Sequence, residues 1–224
     1  QNNIRLQYST NEIIENKLFR NTIWNDFVNY HTSKDFMLTL IEIFSDDLKI
    51  IYPKVLNEIY SFRNRENFLY TRSSDIHQNI RSNFVIDCQP GINTPVKSKS
   101  SVRGPHVDNP VELIGGLAYF RDPDDVSEGG NLKLFEKKSS KIFFHEKAEV
   151  YNLNNLHHCK TIDYKQNNCI FFLNTESSIH SISPRSKTDK TRNLVNFIVE
   201  KYDDNKFFKM KRANFINKIF SRLI

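Results

Sequence analysis

The chain has 224 residues with a formal charge of +6, 32 Lys and Arg against 26 Asp and Glu. That length suits a single domain able to bury a real core, and no apolar run approaches the ~18 residues of a membrane span. The charge is uneven: Lys206, Lys209, Lys211, Arg212, Lys218 and Arg222 follow residue 205 with no acid among them. Without them the basic count falls to 26, equal to the acids, so residues 1–205 are formally neutral and a general nucleic-acid-binding surface is disfavoured. Cys88, Cys159 and Cys169 are odd in number and lack C-x-x-C spacing, which fits reduced thiols. With no basic-then-apolar leader, the expectation is a soluble cytoplasmic protein.

In chain order, residues 11–31 carry helical i, i+4 pairs (Ile14 and Leu18, Phe19 and Ile23, Trp24 and Val28). A second helix is expected from Thr32-Ser33, with Met37, Leu40, Ile41, Phe44, Leu48 and Ile51 as its apolar stripe, and a third from Pro53. Residues 1–65 therefore read as helical support. From residue 66 the texture changes to short β-like runs between Gly and Pro: Phe84 to Cys88, the His106 segment, Leu117 to Phe120, Leu132 to Phe135 and Lys141 to Phe144. Further runs are Val150 to Leu153, Cys169 to Leu173, Ile179 to Ile182 and Leu194 to Val199. Residues 66–205 thus predict a mainly β core with helical support, an α+β sandwich or barrel. Residues 206–224 interleave Phe208, Phe215, Ile216, Ile219, Phe220 and Leu223 with the basic residues and predict an amphipathic C-terminal helix, docked on the domain or serving a homodimer.

Within this frame His106-Val-Asp108 sets two metal-capable side chains two positions apart, the same face of a strand. His180 lies in Ser178-Ile-His180-Ser-Ile, and Arg192 follows in Thr191-Arg192-Asn-Leu-Val-Asn-Phe197. Two imidazoles and one carboxylate on one side of an octahedral Fe(II) leave its other side open. A downstream Arg can grip a carboxylate with its planar fork. Arg185, five residues past His180, competes for that role from a polar Pro-Arg-Ser-Lys loop and is otherwise read as a surface residue or loop contact. His157-His158-Cys159 lacks a second motif at zinc spacing and reads as loop or strand edge.

These residues, with Gly104-Pro-His106-Val-Asp108-Asn, Gly116-Leu-Ala-Tyr119-Phe-Arg, Ser127-Glu-Gly129-Gly130-Asn-Leu132-Lys-Leu134-Phe135 and Asn168-Cys-Ile-Phe-Phe172-Leu, resemble the 2-oxoglutarate- and Fe(II)-dependent oxygenases, most of all their prolyl 4-hydroxylase-like branch. The resemblance covers about residues 84 to 202. It implies a double-stranded β-helix, or jelly roll, and a metal triad of His106, Asp108 and His180. It also implies 2-oxoglutarate held by Arg192 and the Tyr119 hydroxyl, with Leu132 and Leu134 lining its pocket. The implied cofactors are Fe(II), 2-oxoglutarate and O2. The implied reaction hydroxylates an unactivated C–H bond of a small molecule or prolyl-like residue and releases succinate and CO2. Asp108 speaks against halogenation, for which relatives carry a small residue there. Arg103 and Arg121 are candidate contacts to an anionic part of the substrate. Two alternatives stand beside this. A demethylase acting on nucleic acid is disfavoured because Ile198 holds the place of the second Arg such relatives carry. A ligand-binding jelly roll without turnover would need no intact triad.

Overall fold

The computed structural model describes residues 2–66, 68–71, 83–139, 142–145, 148–201 and 206–212. The helical N-terminal part is broken where its sequence supplies helix-ending residues. α1 (Thr10–Glu15) begins with the Glu12 carboxylate accepting the Ser9 N–H at 2.6 Å. The run expected to continue through residue 31 stops at Asn16, whose side chain instead accepts from Leu18 N, and Asn21 then adopts φ 59°, which asparagine tolerates better than most residues. α2 (Ile23–His31) resumes beyond it. Two members of the expected stripe, Leu18 and Ile23, are consequently more than 80% exposed. The second predicted helix is two: α3 (Lys34–Ile43), with the Ser33 hydroxyl accepting from Phe36 N, and α4 (Ser45–Ile51), separated at Phe44. α5 (Pro53–Phe62) starts at Pro53, where the missing N–H costs nothing.

Two mostly antiparallel sheets follow. The larger has the order β1 (Arg5–Gln7), β3 (Phe84–Asn93), β9 (Arg192–Lys201), β4 (Glu112–Tyr119) and β7 (Asn168–Leu173), with β2 (Leu69–Thr71) parallel to β3. The smaller has the order β6 (Leu156–Ile162), β5 (Leu132–Lys137) and β8 (Ile179–Ile182). This arrangement is mainly β with a few helices and is compatible with a jelly roll. Of the expected strand from Lys141 to Phe144, the described residues 142–144 form only bridges at Phe144, and the run at 150–153 gives way to a 3-10 turn at Leu153–Asn155. His157 and His158 lie on β6, whose middle is exposed. β1, β2 and β6 carry no strong sequence signal, since each is short or polar.

Alternation divides the large sheet. Phe84, Ile86, Ile114 and Val199 meet Met37, Leu40, Ile41, Leu48, Leu56 and Ile59 of α3–α5. Cys88, Ala118, Val195 and Phe197 meet Ile13 and Val28 of α1 and α2. The residues between them in sequence face the smaller sheet, and there β3 and β9 carry polar side chains: Asp87, Gln89 and Asn93, then Arg192 and Asn196. Ile59 is fully buried in the helix–sheet layer, so Ile59→Ala should lower stability by about 2–5 kcal/mol in chemical denaturation.

The tail departs from expectation. Residues 206–212 form no helix. They bend at Phe207 and Phe208, with Phe207 N donating to Pro110 O at 2.8 Å and Phe144 N donating to Lys211 O at 2.9 Å. Phe207 packs with the helix–sheet core, while Phe208 and Met210 pack against the cluster around Val107 and Phe144. The rest of the predicted helix, residues 213–224, and the homodimer contact expected of it lie outside the described residues. Among the described residues no helix is long and apolar enough to cross a membrane. All three cysteines are unpaired, Cys88 buried and Cys159 and Cys169 exposed.

Candidate metal and anion site

His106 and His180 are brought together by the backbone. Each donates its N–H to the other's carbonyl at 2.9 Å, so the smaller sheet is extended by a single bridge beyond β8. The His106 segment is therefore not the regular strand its spacing suggests, and Asp108 lies past the bridge in a loop. The three side chains still converge: His106 Nε2 is 3.6 Å from Asp108 Oδ1 and His180 Nε2 is 3.7 Å from Oδ2. One donor atom from each residue lies within 4.8 Å of the others. No other such group of His, Cys, Asp and Glu occurs among the described residues, and His157, His158 and Cys159 form none.

The ring orientations fit metal binding. His106 Nδ1 is 2.7 Å from Gly104 O and His180 Nδ1 is 3.0 Å from Ser178 O. A carbonyl only accepts, so each Nδ1 carries the proton and each Nε2 lone pair faces Asp108. Burial, then the neighbouring His180 and Arg103, lower the His106 pKa to about 2, so its imidazole is neutral. Gly115 makes room for the carboxylate. A Cβ there would lie 3.3 Å from Asp108 Oδ2 and 2.7 Å from the Phe172 ring. Gly115→Val should thus lower divalent-metal affinity about 10- to 100-fold, the usual scale for disturbing the support of a ligand; metal titration of the folded variant reads this directly.

Arg192 opens β9 and is wholly buried. Its Nε donates to Gly130 O at 3.0 Å and Nη1 to Asn93 Oδ1 at 3.2 Å, which fixes the guanidinium plane. Its Nη2 has no partner, and neither does the buried Tyr119 hydroxyl beside it. The guanidinium carbon lies 4.8 Å from the Tyr119 ring centre and 5.1 Å from that of Tyr164. Burial raises the Tyr119 pKa against the opposing pull of Arg192, so the hydroxyl keeps its proton and donates. Two unpartnered donors side by side in an apolar surround suit a carboxylate. Leu132, Tyr164 and Leu194 are buried with Tyr119, and Leu134 packs against them.

Arg185 is not the surface residue its polar loop suggests: it is 1% exposed, with Nη2 shared among Asp125 Oδ2, Ser127 Oγ and Lys190 O. The ion pair with buried Asp125 offsets a charge that the local composition does not betray. Arg121 is likewise occupied by the carbonyls of Asp125, Ser127 and Tyr164. Arg103 stands with the triad, Nη1 lying 3.9 Å from Asp108 Oδ1. It shares a cavity of about 660 Å³ with Asp108, Glu112, Lys206, Lys209 and Arg212, so the tail brings its cations beside Asp108. An adjoining cavity of about 460 Å³ reaches from Asp108 to Gln7, Gln89 and Asn196. There Gln89 Oε1 accepts from Gln7 and Asn196, and its amide donates to Asp87. Neither the tail cations nor these amides were expected from sequence. The available signal was the polar residues recurring at every second or fourth place in β3 and β9.

No protein-family model matches the sequence, and no curated protein matches it. Among solved structures the chain is similar to a prolyl 4-hydroxylase from Pseudomonas putida, at 12% identity and TM-score 0.33 over 52% of this chain and 51% of that one. It is also similar to a 2OG-Fe(II) oxygenase family oxidoreductase from Burkholderia pseudomallei (12%, TM-score 0.32, 60% and 51%). A third similarity is to prolyl 4-hydroxylases from Phytophthora capsici (14%, TM-score 0.35, 79% and 51%). The chain thus spans about half the length of each of these proteins.

Proposed function

We propose that the chain is an Fe(II)- and 2-oxoglutarate-dependent oxygenase built on a double-stranded β-helix, hydroxylating a C–H bond of a polar, anionic substrate. The observation that carries this reading is a pairing. Three metal donors converge from one side, and two buried donors without partners, Arg192 Nη2 and the Tyr119 hydroxyl, stand where one small anion can meet both. Two imidazoles and one carboxylate favour a divalent ion with open positions over a closed tetrahedral zinc site.

In this reading His106 and His180 hold iron through Nε2 and Asp108 supplies the third bond. Their carbonyl-bound Nδ1 protons keep both rings from turning. Arg192 and Tyr119 bind the distal carboxylate of 2-oxoglutarate, and Leu132, Leu134 and Leu194 keep water from it. When bound, iron and 2-oxoglutarate would supply oxidative decarboxylation by O2, one oxygen atom going to succinate as CO2 leaves and the other to the hydroxylated C–H bond. Arg103, Lys206, Lys209 and Arg212 hold the anionic part of the substrate at the mouth, and the Gln7, Gln89 and Asn196 amides read its polar groups. The test is succinate release over a panel of acidic peptides, free amino acids, phosphorylated sugars and nucleotides, with His180→Ala as the blank. Stimulation by an anionic member supports the reading, and no succinate above the blank from any member contradicts it.

A further inference from the structure

Arg5 lies far from the metal and anion residues in sequence, yet strand register carries it to them. β1 sets Arg5 opposite Asn93, and β3 sets Asn93 opposite Arg192. Residues directly opposite share a face, so the three side chains form a row across β1, β3 and β9. Two strand spacings, about 10 Å, separate the outer backbones, a gap that two long guanidinium side chains can close from either end. β1 reaches this position because residue 91 is glycine. A Cβ there would lie 2.8 Å from both Gln7 Cβ and Leu6 O.

The row is short of acceptors. Arg5 Nε and Asn93 Nδ2 are buried without partners, like Arg192 Nη2 and the Tyr119 hydroxyl. Among the described residues the one hydrogen bond of the Arg5 guanidinium is a long, exposed one, 3.5 Å from Nη1 to Gln7 Oε1. Among the described residues neither Arg5 nor Arg192 forms an ion pair. Burial first, then Arg192, lower the Arg5 pKa to about 10, while Tyr119 and Asp108 pull it up, so Arg5 stays charged. Two like charges in this row, with four unpartnered donors on it and beside it, call for an anion with more than one acceptor group.

We propose that Arg5 is a binding residue of this pocket, forming with Arg192 and Asn93 a two-guanidinium clamp for a small dicarboxylate. This rests on the co-substrate reading above and adds β1 to the site. A single carboxylate on Arg192 would leave the half-buried Arg5 without an anion; a dicarboxylate satisfies both.

Calorimetric titration of Mn(II)-loaded protein with 2-oxoglutarate tests it, alongside the thermal response of metal-free protein to succinate. Arg5→Met is expected to weaken 2-oxoglutarate about 10- to 100-fold, the scale of hydrogen bonds to a charged group, and to abolish the succinate response. The unliganded melting temperature should not fall, since no ion pair is lost, and Arg5→Lys should restore part of the affinity. Gly91→Ala, which crowds β1 without touching a donor, should weaken binding in the same direction. Affinity of Arg5→Met within twofold of wild type, with Arg192→Met defective, overturns the role of Arg5 and leaves the co-substrate reading standing. If wild-type protein binds no 2-oxoglutarate but responds to succinate through Arg5, the co-substrate reading fails and the clamp stands. No response of wild type to either overturns both.

Discussion

His180→Ala is expected to lower affinity for Fe(II) by at least about 100-fold, because disturbing only the support of a metal ligand already costs up to that much. The substitution removes one of three donors and leaves His106 Nε2 and Asp108 alone. The backbone pair between residues 106 and 180 does not depend on the imidazole, so the fold should survive and the loss should be confined to the metal. Anaerobic titration, with circular dichroism as the control for folding, reads both. Wild-type affinity in the variant would mean that the three side chains do not act together.

Arg192→Met is expected to weaken 2-oxoglutarate by roughly 30- to 5,000-fold, the equivalent of the ~2–5 kcal/mol lost when one partner of a buried charge pair is truncated. Met keeps most of the aliphatic length against Tyr119 and Tyr164 but brings no donor. Stability of the unliganded protein should move little. Relief of a buried, partly unsatisfied charge opposes the loss of the bonds to Gly130 O and Asn93 Oδ1, about 1–3 kcal/mol for each acceptor stranded. A large fall in melting temperature with unchanged 2-oxoglutarate affinity would make Arg192 a structural residue.

How much of this was legible in the sequence depends on the range of the signal. His106, Asp108, His180 and Arg192 stood out by residue type and spacing, and Tyr119 through the family resemblance; the structure brings the first three together and sets Arg192 beside Tyr119. Their mutual geometry was less legible. Alternation suggested that a regular strand carries His106 and Asp108, whereas His106 is held only by isolated bridges to Glu149 and His180 and Asp108 lies in the loop beyond. Arg185 was misread because its burial depends on Asp125, sixty residues away, which no local pattern reveals. Arg5 was invisible for the same reason: β1 is three residues long, and its place follows from pairing with β3. The tail was read as a helix from its amphipathic spacing, yet Phe207 packs in one apolar cluster and Phe208 and Met210 in another, and residues 206–212 form no helix. Helix breaks at Asn16 and Phe44 were within reach of sequence, since asparagine favours caps and turns, but the apolar periodicity runs through both.

The central claim is that one divalent ion sits among His106, Asp108 and His180 with a dicarboxylate reaching from it to Arg192. Anaerobic addition of Fe(II) and then 2-oxoglutarate to the purified protein tests it most directly. The expected result is a visible charge-transfer band that saturates at one 2-oxoglutarate per chain, absent in His180→Ala and restored only at far higher 2-oxoglutarate in Arg192→Met. A wild-type protein that binds no Fe(II), or binds it and gives no band at any 2-oxoglutarate concentration, would contradict the account.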